Sequence, residues 1–313
     1  MFVNLSVIFC FFRLNFLCLA ARKEKNIMRY NEYAVLDKRN KPLVKIFHST
    51  VEGGKRAYRG HHHTECELST IISGGGTYSL ENKEYDVKKG DVILFGSDET
   101  HCLTEISTDE RFDLLNIQFE PRILWTNTEF HGNLMQIFLE RNKNFENRIN
   151  RNNPTSNALK RLIFEIEDEM ANDRFNRSFI VQSKLFEILT LIIRDYDYVS
   201  PRETNSAVLS QLRLTLEYID ENLSEPLTLD ELSKKATMNK TYFCTVFKRY
   251  NGISPWEYIS IKRVEKAIEL IKTTSLTKLE IAGQCGFNSA SNFYKIFGEV
   301  TGKTPSDYKK QSM

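Results

Sequence analysis

The chain repeats itself near its C-terminus. LSKKATMNKTYFCTVFKRYNGISPWEY (Leu232 to Tyr258) aligns with IAGQCGFNSASNFYKIFGEVTGKTPSDY (Ile281 to Tyr308). Met238 pairs with Phe287, Phe243 with Phe293, Phe247 with Phe297, Gly252 with Gly302 and Pro255 with Pro305. The offset is 49 residues before the turn and 50 after it, so the second copy carries one extra turn residue. Coincidence at so many punctuating positions is improbable, and the fold is thereby limited to two copies of one helical unit. In each copy a short helix (Leu229 to Ala236, or Leu279 to Cys285) shows one apolar face. A turn breaks it: Thr237-Met238-Asn239, or Gly286-Phe287-Asn288. Gly286 suits the left-handed conformation, and the turn asparagine is expected to cap the next helix. That helix buries two phenylalanines at i, i+4 and leaves its opposite face free. A short helix, a turn and a second helix with a free face follow the logic of a helix-turn-helix, whose second helix enters the major groove of DNA.

Between the copies runs SPWEYISIKRVEKAIELIKTT, with Ser254 expected as N-cap and Pro255 at the first helical position. About 20 residues rising about 1.5 Å each span roughly 30 Å. Two helices held that far apart can meet successive major grooves, since the DNA repeat is about 34–36 Å. Charge is a weaker pointer. From Ser206 to Met313 there are 15 Lys+Arg against 12 Asp+Glu, a net of +3. Even so, Lys240, Lys248, Arg249, Lys262, Arg263, Lys295 and Lys303 concentrate on the recognition helices and the connector, and counterion release depends on the local cluster. Base readout is expected near each recognition-helix N-terminus, opposite the phenylalanines. The candidates are Lys240, Thr241, Cys244 and Thr245 with Lys248 in the first copy, and Ser289, Ser291, Asn292 and Lys295 in the second.

KRVEKAIELI (Lys262 to Ile271), IAGQCGF (Ile281 to Phe287), Phe293, Phe297, Gly302 and Thr304-Pro305 form a specific set. In these residues the last 100 or so positions resemble the DNA-binding domain of AraC-family transcription regulators. The family has two basic residues after the second-copy phenylalanine, where this chain has Gly298-Glu299; the basic residue after the final tyrosine is present as Lys309. Gly298 weakens its helix by about 1 kcal/mol relative to Ala and Glu299 repels phosphate, so the second motif is expected to grip less firmly. The resemblance implies a ligand-responsive, sequence-specific transcription regulator with no catalytic residue. Its implied partners are double-stranded operator DNA, a small-molecule effector, a second copy of the chain and, for an activator, RNA polymerase; its implied location is cytoplasmic. Sugars are the commonest effectors of similar regulators, so a carbohydrate uptake or metabolism operon is the expected target.

From about Tyr33 to Phe119 the texture is β. PLVKIFHS, CELSTIIS, GTYSL and DVILFG are rich in β-branched and aromatic residues, and GGGT, ENK, KKGD and GSDET separate them. Strands so closely spaced suggest a sandwich or barrel. HHHTECELSTIISG carries His61-x-His63-x3-Glu67-x6-Gly74, and GDVILFGSDETH places Gly90 and His101 at a matching second spacing. This resembles the cupin barrel, whose metal-binding members use two histidines, the glutamate and the later histidine. The second motif departs from the pattern, with Gly96 in place of Pro and Glu105 in place of Asn. His61, His63, Glu67 and His101 are therefore expected to line an organic-ligand pocket, with no metal and no cofactor. The alternative is a metal-dependent cupin enzyme, or a metal or redox sensor, fused to DNA-binding helices. Cys66 and Cys102 flank the histidines, but buried cysteines of this kind are commoner as small hydrophobes. The six cysteines show no C-x-x-C pair and read as reduced.

After about Asn133 the period becomes helical: Leu159, Leu162, Ile163, Ile166 and Met170 form one stripe. The following run, FIVQSKLFEILTLIIRDY, is more apolar than one packed face needs. Burial within the domain accounts for that, as does a helix shared with a second subunit. The first 21 residues, MFVNLSVIFCFFRLNFLCLAA, read either as a signal or anchor or as an upstream extension with Met28 as the first residue. No basic residue precedes the run, and Arg13 in its middle costs roughly 2.5–3.5 kcal/mol at a bilayer centre, which favours the extension. The expected fold class is α+β and multi-domain. An extension (1–27) precedes a cupin-like β-barrel ligand-binding domain (28–132) and a helical dimerisation and coupling segment (133–197). A linker (198–208) then leads to an all-α domain with two helix-turn-helix motifs (209–313).

Overall fold

A computed structural model of the chain describes residues 27–37, 41–51, 54–55, 60–80, 83–106, 111–125, 134–138, 145–172, 174–196 and 207–311. The N-terminal extension, apart from residue 27, and most of the expected linker lie outside the described residues. Two antiparallel sheets build the N-terminal half. In the first, β1 (Ile27–Leu36), β2 (Pro42–Val51), β9 (Phe112–Phe119), β4 (Cys66–Ser73), β7 (Val92–Phe95) and β10 (Arg148–Ile149) pair in that order. In the second the order is β3 (Gly54–Lys55), β8 (His101–Ile106), β5 (Gly75–Leu80) and β6 (Lys83–Lys88).

The six-stranded sheet is covered on both faces, because successive side chains on a strand point to opposite sides. Ile46, Leu68, Leu94, Leu115 and Ile117 look outward into a core shared with helices. Val51, Ile71, Ile93, Phe95 and Phe112 look inward toward Tyr78, Val87 and Leu103 of the second sheet. Helix α1 (Pro154–Ala171) seats its stripe on the outward face, with Leu159, Leu162, Ile163, Ile166 and Met170 all buried. It starts where the sequence sets it to start: Asn153 accepts a hydrogen bond from the Thr155 amide and Pro154 occupies the first turn. Ser156 Oγ donates to the Gly90 carbonyl at 2.8 Å, and His48 Nε2 meets Glu167 Oε1 at 2.6 Å, which fixes the helix on the sheet at two heights. Helix α2 (Arg177–Asp195) buries Val181, Leu185, Ile188, Leu189 and Ile192 in the same core.

The C-terminal part is helical: α3 (Ala207–Glu221), α4 (Leu229–Lys235), α5 (Lys240–Asn251), α6 (Pro255–Thr273), α7 (Lys278–Gln284), α8 (Ala290–Thr301) and α9 (Pro305–Gln311). The sequence repeat is a repeat of ring geometry. Phe243 and Phe247 lie 5.5 Å apart, and Phe293 and Phe297 5.6 Å. Phe247 meets Tyr258 edge-on at 5.6 Å, and Phe297 meets Tyr308 edge-on at 5.8 Å. Such edge-to-face pairs each add about 0.5–1.5 kcal/mol beyond their buried area.

Caps and turns follow the repeat with one change. Asn239 caps α5 through the Tyr242 amide, as its position predicts. In the second copy the cap is Ser289, which accepts from the Asn292 amide, and not Asn288. The extra turn residue moves the cap by one place. Ser254 caps α6 in a full capping box with Glu257. The left-handed turn residue is Thr237 in the first copy (φ 56°) and Gly286 in the second (φ 77°).

Helix α6 divides two cores. Its Tyr258 and Ile259 belong to the large core that runs through the first motif and the outward face of the barrel. Its Val264, Ala267 and Ile271 belong to a separate core with Ile281, Phe293 and Phe297. The two glycines of the second motif give opposite expectations. A Cβ at Gly286 would stand 2.3 Å from the Leu223 carbonyl oxygen, whereas one at Gly298 would meet nothing within 4 Å. Denaturant unfolding should therefore show Gly298→Ala stabilising the chain by about 0.8–1.0 kcal/mol. Gly286→Ala should destabilise it by at least about 1–2 kcal/mol. Effects of the same sign would contradict the helix and turn assignments.

Candidate nucleic-acid interface and ligand site

The second helices of the two motifs, expected to be the recognition helices, are α5 and α8, and their apolar sides are spent on the cores. Phe243 and Phe247, and Phe293 and Phe297, are fully buried. Exposed in α5 are Lys240, Thr241, Tyr242, Thr245, Lys248 and Arg249, with Cys244 half-buried at the edge. In α8 and its cap, Ser289, Ser291, Asn292 and Lys295 are exposed. Thr245 Oγ1 already donates to the Thr241 carbonyl at 3.0 Å, so it faces a ligand as an acceptor. Lys240 pairs with Asp230 at 2.9 Å and Lys295 with Glu299 at 4.0 Å. Exposed pairs of this kind are worth at most about 1 kcal/mol, so either lysine can exchange its partner for a phosphate. Glu299 thus competes for the one exposed lysine of α8. Tyr242 and Tyr294 also stand exposed beside these faces, at 47% and 40%. They were hidden in the sequence because exposed aromatics on a helix read as core.

Two basic residues counted toward DNA are committed elsewhere. Arg263 Nε and Nη2 donate to the carbonyls of Leu223 and Glu225, both at 2.8 Å. Lys262 lies over the Tyr258 and Trp125 rings at 5.6 and 6.0 Å and meets Glu265 at 3.7 Å. Only tertiary packing distinguishes them from the outward lysines.

The histidine cluster sits at one end of the barrel, with His61 exposed, His63 half-buried and His101 buried. His61 and His101 are held opposite each other by a pair of backbone hydrogen bonds, 3.1 and 3.0 Å, and their rings lie 4.4 Å apart. His63 Nε2 meets Glu67 Oε2 at 2.9 Å, and His63 Nδ1 meets the Glu65 carbonyl at 2.9 Å. His101 Nδ1 meets the Glu99 carbonyl at 2.8 Å, and its ring stacks on Phe95 at 4.0 Å. The four residues expected to line a pocket are therefore together. Sequence reasoning missed the rest of the site. Gln118 Nε2 donates to Glu67 Oε2 at 2.6 Å, and Ser69 Oγ lies 2.8 Å from both Glu67 Oε1 and Asn116 Oδ1. Asn116 Nδ2 donates onward to Ser49 Oγ at 2.9 Å. Asn116 and Gln118 occupy inward places in the strand FDLLNIQF, and that alternation was the available signal.

Burial would raise the Glu67 pKa, but His63, His101 and Gln118 together hold the carboxyl well below the usual range. Burial pulls His63 down, yet the Glu67 hydrogen bond and charge outweigh it and leave it above its ordinary value. For His101 burial prevails and lowers it. The Glu67 carboxylate thus lies beside one imidazole made more basic and another made less basic. Ligand atoms of His61, His63 and His101 lie within 4.8 Å of one another. The backbone carbonyls at Nδ1 of His63 and His101 leave Nε2 of each ring as its ligand atom, and His63 Nε2 would have to give up its hydrogen bond to Glu67 Oε2 to hold a divalent ion of the zinc type. The thiols do not fit redox chemistry: burial raises Cys66 to about 12 and also raises Cys102.

Besides the core it shares with the first motif, the barrel touches the helical part through a short piece after β9. A 3-10 turn (Pro121–Leu124) follows β9 and carries Trp125. Trp125 packs edge-on against Tyr258 of α6 at 4.9 Å, and Pro121 lies against Gly252, the left-handed cap of α5. Among the described residues no helix is long and apolar enough to cross a membrane.

A family model described as an AraC-like ligand binding domain matches residues 46–189, and one described as a helix-turn-helix domain matches residues 232–311. The chain is 23% identical over 262 residues to the melibiose operon regulatory protein of Escherichia coli K12, covering 80% of this chain and 83% of that protein. It is 22% identical over 241 residues to the Msm operon regulatory protein of Streptococcus mutans, covering 77% and 82%. Among solved structures, the DNA-binding domain of AdpA in complex with a target DNA is 27% identical, with a TM-score of 0.32, over 32% of this chain and 91% of that one.

The exposed lysines carry a direct expectation. In a gel-shift series across salt concentrations, Lys248→Ala should reduce the slope of log K against log salt by about 1 and weaken all sequences alike. Asn292→Ala should leave that slope unchanged and relax preference at one base position. An unchanged slope in Lys248→Ala would remove that residue from the interface.

Proposed function

The chain belongs to the AraC family of transcription regulators, and from that premise we propose that it is a sugar-responsive regulator reading operator DNA with α5 and α8. The observation that carries the effector half is the buried polar chain in the barrel. Ser49, Asn116, Ser69, Glu67 and Gln118 hydrogen-bond in series toward the three histidines. Such a network inside an otherwise apolar domain is stable only while every member is paired. A polyhydroxylated ligand can replace those pairings one for one, with the His101 ring, backed by Phe95 at 4.0 Å, as its aromatic wall. His61, His63, Glu67 and His101 would contact it, and the relative that controls a melibiose operon makes a carbohydrate the first class to try. A carbohydrate effector would make carbohydrate uptake or metabolism genes the target. RNA polymerase would be a further partner for an activator.

The route from effector to DNA runs along β9. Asn116 and Gln118 lie on that strand, which leads into the 3-10 turn and Trp125 on α6. A ligand that favours one arrangement of the strand would bias how α5 is presented, as coupling by differential affinity requires. Footprinting of the DNA fragments that the protein selects tests both halves. A sugar panel should change the protected region in the wild type. Trp125→Ala should protect the same fragments without responding to the sugar. A protein that protects no duplex with any sugar would refute the proposal.

A homodimer through α1 and α2 completes it. Phe175 and Phe179 are 92% and 67% exposed, with Phe164 and Ile180 beside them. Phe164 and Ile180 line a groove of about 500 Å³ rimmed by Arg161, Glu165, Asp168, Arg174 and Lys184. A large apolar patch with a rim of both charge signs suits a second copy of itself. Sedimentation at micromolar concentration should give a dimer, and Phe179→Glu a monomer. A wild-type monomer with and without DNA would overturn the dimer.

A further inference from the structure

Arg263 stands on α6 where the two helix-turn-helix units meet. Its Nε and Nη2 donate to the carbonyls of Leu223 and Glu225, each at 2.8 Å, in the loop that joins α3 to α4 of the first unit. From the other side the turn of the second unit presses on the same guanidinium. A Cβ added at Gly286 would fall 2.9 Å from Arg263 Nη2, 3.0 Å from its Cζ and 2.3 Å from the Leu223 carbonyl oxygen. Gly286 has a φ of 77°, so it is backbone that makes this approach. The apolar cores of the two units are separate. Their relative rotation is therefore set by α6 and by this three-way junction.

We infer that Arg263 is a positioning residue that sets the spacing and rotational phase of the two recognition helices on DNA. A guanidinium presents its donors in a fixed plane, so two bonds to carbonyls two residues apart hold the first unit's loop at one angle to α6. The space left beside that plane admits only a bare backbone, and the second unit fills it with Gly286. A lysine ammonium has no fork and cannot make both bonds in the same orientation. Each base pair inserted between two half-sites moves the second by about 3.4 Å and turns it by about 35°. A rigidly phased pair of helices loses its second contact on such a duplex, whereas a loosened pair follows it.

The inference rests on α5 and α8 being the recognition helices. Its test uses the full chain and the duplex that the chain itself selects from a random library. That duplex is compared with the same sequence carrying one or two base pairs inserted between the two protected segments. Gel shifts at fixed salt should show wild-type affinity falling about tenfold or more on insertion. Arg263→Lys and Arg263→Gln should discriminate between the duplexes less than about threefold, with both variants folded by circular dichroism. Variants that bind more weakly but keep the wild-type discrimination would reduce Arg263 to a plain stability role and overturn the inference. A wild type that tolerates the insertions would overturn it without any variant. Protection of a single segment by the wild type would sink the recognition-helix assignment, a different failure from that of the clamp.

Discussion

Everything in the C-terminal half depends on the burial of α6 by two sets of phenylalanine rings. Phe247 and Tyr258 meet at its N-terminal end, while Phe293 and Phe297 close over Val264, Ala267 and Ile271 further along. Without that common wall each motif would be a helical pair too small to bury a core of its own. With it, two outward helices are carried on one rod of 19 residues. The free face of each recognition helix is a by-product of the same packing. Rings at i, i+4 commit one side of the helix, and only the other side is left for a ligand.

The two motifs are not equivalent within the molecule. The first shares a continuous core with the outward face of the barrel and with α1 and α2. The second has a core of its own and reaches the rest through α6 and the turn at Gly286. The 3-10 turn at Pro121–Leu124 touches the first motif at the Gly252 cap of α5, and Trp125 touches Tyr258 of α6. Both outward helices carry a lysine held by a surface carboxylate, Lys240 by Asp230 at 2.9 Å and Lys295 by Glu299 at 4.0 Å, but α5 has Lys248 exposed as well.

The barrel interior is divided between two kinds of side chain. One end is filled with apolar side chains, and the other holds an ionised carboxylate among imidazoles and amides. Burying such groups costs several kcal/mol unless each is paired. Here the pairs run strand to strand across β2, β9 and β4, so the polar end depends on the sheet register. That register is fixed by the outward face, where α1 and α2 cover an apolar surface that a slip of one residue would expose.

The sequence by itself determined the units of this protein and their ends. Ring spacing, the capping positions Asn153, Asn239 and Ser254, the left-handed Gly286 and the helical stripe from Leu159 to Met170 are local signals, and each acts within a few residues of itself. The histidine spacing also brought His61, His63, Glu67 and His101 to one place, because strands pair in a regular register. Only the tertiary structure decided which of several equal-looking residues face a partner. Arg263 and Lys262 read like Lys248 and Lys295 until the Leu223–Glu225 loop and Trp125 are seen to occupy them. Asn116 and Gln118 read as ordinary strand residues until the facing sheet makes their side the interior. The junction at Gly286 is decided by the Leu223 carbonyl and the Arg263 guanidinium that close on it. Contacts between residues distant in the chain carry no local pattern, so nothing short of the folded arrangement could reveal them.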